Sequence, residues 1–298
     1  MMLNRGLRSH SEEQPRTRSR LLGTAAAASA LLILAACGGS GGGTSAHGPG
    51  KSNSHHGTQQ ASNQSPQQIV EAAAVKASSV TSAVARIKET VSGAESTTIS
   101  GVVHEQIKPS LQASLKLHVR GGGQNTAISE VLTTKAVYLK VPGLAQQLGK
   151  PWLKISIAQL RHANSAIGAL YSSISKLNPA EQSGELAGAT NVHAAGTAVV
   201  GGVSTTKYTG SVKVSAALRA LPAKLRKTLR PELKQITGNI GFTAWIDGQG
   251  QLKKEVITES VAGSTVTIAV VLSAINQPVH LAIPPASQVA TPPAGALG

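Results

Sequence analysis

Residues 111–120 read Leu-Gln-Ala-Ser-Leu-Lys-Leu-His-Val-Arg. Leu111, Ala113, Leu115, Leu117 and Val119 alternate with Gln112, Ser114, Lys116, His118 and Arg120, the period-two pattern of a strand with one buried and one wet face. Upstream, residues 96–107 pair naturally with this strand across the turn Lys108-Pro109-Ser110. Downstream, Gly121-Gly122-Gly123 turns the chain into strands over 126–133 and 136–141. The glycine triplet is a hairpin turn and not a phosphate loop, because no Gly-Lys-Ser/Thr follows and no helix opens from it. Consecutive strands joined by tight turns make an antiparallel meander.

The pattern extends in both directions. Over 66–91, Ile69, Ala73, Lys76, Val80, Val84, Ile87 and Val91 recur at three- and four-residue steps. Pro66 stands at a first-turn position and Gly93 follows the last apolar residue, so the spacing predicts one amphipathic helix there. Residues 151–155 predict a short strand and 157–177 a helix closed by Asn178-Pro179. Residues 187–200 and 204–214 predict a hairpin across Gly201-Gly202. Over 216–236, Leu218, Leu221, Leu225, Leu229 and Leu233 form a stripe beside Lys224, Arg226, Lys227, Arg230 and Lys234; Pro222 and Pro231 break it into short helices. Strands at 240–246, 252–260 and 264–272 follow, the first two joined by the turn Asp247-Gly248-Gln249-Gly250.

The amino terminus carries a different signal. Arg5, Arg8, Arg16, Arg18 and Arg20 precede an apolar run from Leu21 of about 14 residues, too short for a stable span and typical of a secretory leader. It ends in Leu34-Ala35-Ala36-Cys37, which closely resembles the lipobox of bacterial lipoproteins. That resemblance implies that the Cys37 thiol takes diacylglycerol and that residues 1–36 are removed. Its two acyl chains, of the palmitate type, then make Cys37 a stable lipid anchor where one chain would not. Cys37 is the only cysteine, so no disulfide competes for it. Residues 37–65 are Gly, Ser, Asn, Gln and His with few aliphatics and read as a flexible tether. The domain is expected over 66–289 and a loose tail over 290–298.

Composition narrows the function. The chain holds 28 basic and 13 acidic residues. Removing the five Arg and two Glu of residues 1–36 leaves 23 and 11, a net charge of +12. An anionic membrane surface is a natural partner. Nucleic acid is not expected, since aromatic residues are only 2% and stacking platforms are lacking. Asp247 is the one aspartate, and the domain has no Gly-x-Ser-x-Gly elbow and no His-Glu-x-x-His helix. His104 and Glu105, as strand neighbours, point to opposite faces. His47, His55 and His56 read as part of the tether. No catalytic residue, metal or cofactor is expected, and the chain reads as a non-enzyme.

Four stretches carry a family resemblance. They are Lys135-Ala136-Val137-Tyr138-Leu139, Gly149-Lys150-Pro151-Trp152-Leu153-Lys154-Ile155, Val203-Ser204-Thr205-Thr206-Lys207-Tyr208 and Phe242-Thr243-Ala244-Trp245-Ile246-Asp247-Gly248-Gln249-Gly250. With the element order, they make residues 66–285 resemble the LolA/LolB-like fold, and most nearly the LppX/LprG group of lipid-binding lipoproteins of the actinobacterial envelope. The resemblance implies an α+β fold: an incomplete antiparallel β-barrel with amphipathic helices across its concave face. It implies a cavity for acyl chains of a membrane lipid or glycolipid, for transport or envelope assembly, with a partner transporter. Expected cavity residues are Leu115, Leu117, Val119, Val137, Leu139, Tyr208, Val212, Leu221, Leu225 and Phe242. Lys224, Arg226, Lys227 and Arg230 are expected to contact head groups or the membrane. The expected location is the outer, extracytoplasmic side of the cell membrane. The same fold in a periplasmic regulator keeps a second expectation open, an envelope sensor that binds a protein partner.

Overall fold

The computed structural model describes residues 64–93, 96–162, 186, 188–215, 236–261 and 263–291. Its chain order opens with helix α1 (Pro66–Ala77), then strands β1 (Ser82–Ser92), β2 (Thr97–Gln106), β3 (Gln112–Gly121), β4 (Gln124–Leu132) and β5 (Ala136–Lys140). A short α2 (Leu144–Leu148), β6 (Trp152–Ser156) and α3 (Ile157–His162) follow. The second half holds β7 (Ala189–Val200), β8 (Val203–Lys213), β9 (Ile236–Asp247), β10 (Leu252–Val261), β11 (Ser264–Ser273) and β12 (Val289–Ala290).

All twelve strands form one sheet, ordered β12-β6-β5-β4-β3-β2-β1-β11-β10-β9-β8-β7. Two meanders therefore meet where β1 pairs antiparallel with β11. The sheet is open, with β12 and β7 at its edges, and does not close into a barrel. The two-residue turns expected from sequence are present. Gly122 and Gly123 at φ 56° and 74°, and Gly201 and Gly202 at 58° and 81°, supply the paired positive φ that matches strand twist in tight hairpins. Asp247 closes the β9–β10 turn, its Oδ1 accepting from the backbone N–H groups of Gln249 and Gln251 at 2.9 Å each.

One expectation fails. Residues 66–91 are not a single helix: α1 stops at Ala77, and β1 occupies 82–92. The start is as expected, with Pro66 in the first turn and Ser65 and Gln68 forming a reciprocal capping box. The stop comes at Ser78, whose backbone N–H bonds the Ala74 carbonyl at 3.1 Å. Beyond it, Val80, Thr81, Val84, Ile87, Thr90 and Val91 are β-branched and favour strand. Ala83, Ala85 and Ile87 point to one side of β1, and Arg86 and Lys88 are exposed on the other. Glu89 stands in the apolar series and breaks the alternation in sequence, which leaves the four-residue steps as the visible period.

At the other end, β12 is a two-residue strand parallel to β6, pairing Val289 with Trp152 and Ala290 with Leu153. It brings the chain from the middle of the sheet to its far edge. The expected helix over 157–177 begins as α3, and its remainder lies outside the described residues, as do residues 216–235.

The core gathers on one face. Val70, Ala73 and Ala74 of α1 pack with Tyr208, Val212, Phe242, Ala244, Ile246 and Leu252. Ala85, Ile87 and Val103 pack with Val266, Ile268, Val270 and Leu272 in the middle. Ile157 and Leu160 of α3 pack with Val137 and Ile155 at the opposite end.

Candidate functional site

Strand register shows which side chains share that face, since paired residues in adjacent strands point the same way. One row runs Phe242, Ile257, Ile268, Glu89, Ile99, Val119. The next runs Tyr208, Ala244, Glu255, Val270, Ile87, Gly101, Leu117. The face on which α1 packs, the inner face, is thus continuous across the sheet.

Leu115, Leu117, Val119, Val137, Leu139, Tyr208, Val212 and Phe242 all lie on it. Their surroundings differ. Tyr208, Val212 and Phe242 are buried in the cluster with α1. Val137 is buried with α3. Leu115, Leu117, Val119 and Leu139, on β3 and β5, are half-buried. α1 packs on one end of the apolar face and α3 on the other; the middle strands β1 and β11 are buried as well, and the half-buried stretch runs over β3 to β5. Cys37, Leu221, Leu225, Lys224, Arg226, Lys227 and Arg230 lie outside the described residues.

The inner face also holds groups that the sequence reading did not place there. Glu89, Glu105, Glu130, Glu255 and Glu259 all point inward by register. Glu89 is 0% exposed and Glu105 1%. Among the described residues, neither carboxylate oxygen of Glu89 has a hydrogen-bond partner, nor has Oε2 of Glu105. Loss of water raises the carboxyls of Glu105 and Glu255 to about 7. It does the same for Glu89, with the nearby charge of Glu259 adding to the rise. Burial raises Glu130 and Glu259 as well. The signal was present in Ile128-x-Glu130-x-Leu132 and Glu255-x-Ile257-x-Glu259, where a carboxyl occupies an apolar phase.

Cations take the opposite face. Lys207, Lys254, Arg86, Lys116 and Lys140 share one cross-strand row there. Among the described residues, every strand Lys or Arg is on this side except Lys253, which sits at a bulge. Trp245 lies between two of them, with Lys254 Nζ 4.4 Å and Lys207 Nζ 5.9 Å from its ring centre. His104 is exposed, on the side opposite buried Glu105. Among the described residues, no three His, Cys, Asp or Glu side chains come together to hold a metal ion.

Several solved structures are similar to this chain. LprF from Mycobacterium bovis is 17% identical, with 74% of this chain and 96% of that one covered, at a TM-score of 0.47. LppX from Mycobacterium tuberculosis is 21% identical, with 72% and 97% covered, at a TM-score of 0.42. MucB, in the MucA/MucB complex of Pseudomonas aeruginosa, is 14% identical, with 74% and 57% covered, at a TM-score of 0.25. No family model and no curated protein matches the chain.

Proposed function

We propose that this chain is a lipid-anchored extracytoplasmic lipoprotein, not an enzyme, whose inner sheet face holds acyl chains of a membrane lipid or glycolipid. The observation that carries the reading is the half-buried series Leu115, Leu117, Val119 and Leu139 between the two helix-covered ends of one apolar face. Acyl methylenes on these side chains gain about 0.8 kcal/mol per buried CH₂. Residues 216–235 supply the leucine stripe, with Leu221 and Leu225 toward the lipid and Lys224, Arg226, Lys227 and Arg230 toward head groups or the anionic membrane. Cys37 holds the domain to that membrane through the tether, within reach of a partner transporter.

Mass spectrometry of organic extracts from the natively purified protein tests the reading. One molar equivalent of lipid is the expected result. Complete absence of lipid, with no uptake of a fluorescent fatty acid, overturns it in favour of a protein-binding module. Substituting Leu221→Asp together with Leu225→Asp is expected to lower that occupancy without unfolding the sheet, because an unpaired carboxylate is strongly disfavoured against hydrocarbon. Cys37→Ser is expected to release the protein from the detergent phase in phase partitioning. Incorporation of a fatty-acid label into the Cys37→Ser protein would be incompatible with the anchor.

A further inference from the structure

The inward glutamates are unexplained by folding alone. A buried carboxyl without a partner is destabilising, and an apolar residue of similar volume would pack the same position at lower cost. Native proteins leave few such groups, and each calls for a reason. Among the described residues, Glu89 on β1 and Glu105 on β2 are such groups, and Glu130 on β4 and Glu255 and Glu259 on β10 share their face. They are the titratable carboxyls facing one another across it, joined by Tyr208 on β8. Among the described residues, the strand cations other than Lys253 are segregated to the other side of the sheet. On α1, Lys76 is held away by Nζ donating to the Gln249 carbonyl at 2.5 Å. The carboxyls are spread along the face and do not gather around one point, which suits an elongated occupant and not a metal ion.

An occupant that leaves these oxygens satisfied must bring its own donors and positive charge together with an apolar body. We infer that the inner face binds an amine-bearing amphiphile, its alkyl chain on the half-buried leucines and its ammonium group on Glu89. Glu89 is the position of choice because both of its oxygens are enclosed and unpartnered. Glu259, two strands away on the same face, adds negative charge at that point. The inference rests on the acyl-chain reading of this face and names the polar group of the ligand.

Equilibrium dialysis of the delipidated full chain against dodecylamine, dodecanol and dodecanoic acid tests it. At about pH 8, where the carboxyls are ionised, the amine is expected to bind roughly tenfold tighter than the alcohol, the size of one charge-assisted hydrogen bond. At about pH 5 that advantage shrinks. Glu89→Gln keeps the shape, removes the charge, and is expected to equalise the affinities for amine and alcohol within that variant. Glu105→Gln provides a second variant should the first fold poorly, with a smaller loss of amine preference expected. Equal affinity for amine and alcohol in the unaltered protein overturns the inference and leaves the acyl-chain reading standing. An amine preference untouched by both substitutions also overturns it. Binding of none of the three overturns both.

Discussion

Thermal unfolding is expected to show a domain that is more stable at pH 5 than at pH 8. The buried carboxyls of Glu89, Glu105 and Glu255 are raised from 4.5 to about 7. Between those two values the folded state holds protons that the unfolded chain has released, so stability falls as pH rises through the interval. The stabilisation is complete below about 4.5 and gone above about 7. Each pKa unit corresponds to about 1.4 kcal/mol, so the three groups together amount to several kcal/mol. A drop in midpoint on the order of 10 °C between pH 5 and pH 8 follows for a domain of this size. The triple substitution Glu89→Gln, Glu105→Gln, Glu255→Gln should flatten the profile and raise the midpoint at pH 8. A midpoint that is constant or rises with pH in the unaltered protein contradicts the burial of these groups.

Gly101→Ala is expected to be the most damaging single-methyl change in the sheet. Gly101 lies on the inner face of β2, in the row with Ile87 and Leu117. A Cβ built there comes within 2.1 Å of the Lys116 carbonyl oxygen and 2.7 Å of Leu117 Cδ2. The first contact is backbone and cannot swing aside, so the β2–β3 ladder must shift. A loss of about 3 kcal/mol is expected, read as a lower urea midpoint, with Gly101→Val worse. Gly241→Ala is the matched control. Among the described residues, its added Cβ would meet only the Thr258 carbonyl oxygen, at 3.6 Å, and its φ is not in the left-handed region. That change should be neutral or slightly stabilising. Equal effects of the two substitutions would show that crowding at Gly101 is not real.

Much of the sheet was legible because strand signals are local. The alternation at 111–120, the glycine pairs at 122–123 and 201–202, and the Asp247 turn each act within a few residues, and each stands where expected. Alternation put Leu115, Leu117 and Val119 on one side of their strand and Tyr208 and Val212 on one side of theirs, while register joins them with Val137, Leu139 and Phe242 on one face. Alternation did not separate those that α1 covers from those left half-buried, because coverage depends on helices distant in sequence.

Two features needed the tertiary structure. Residues 80–92 satisfy a helical and a strand period equally well, and pairing with both β2 and β11 decides for strand, since only an extended chain supplies both ladders of hydrogen bonds. A glutamate in sequence reads as a solvent-facing group, although Glu89 stands in the apolar phase Ile87-x-Glu89-x-Val91 and Glu105 in Val103-x-Glu105-x-Ile107. By itself, the chain determined where its strands and turns lie, β1 and β12 excepted, and which residues alternate together. Which side of each strand loses its water was decided by the joining of two meanders into one sheet, because desolvation depends on neighbours from strands far apart in the chain.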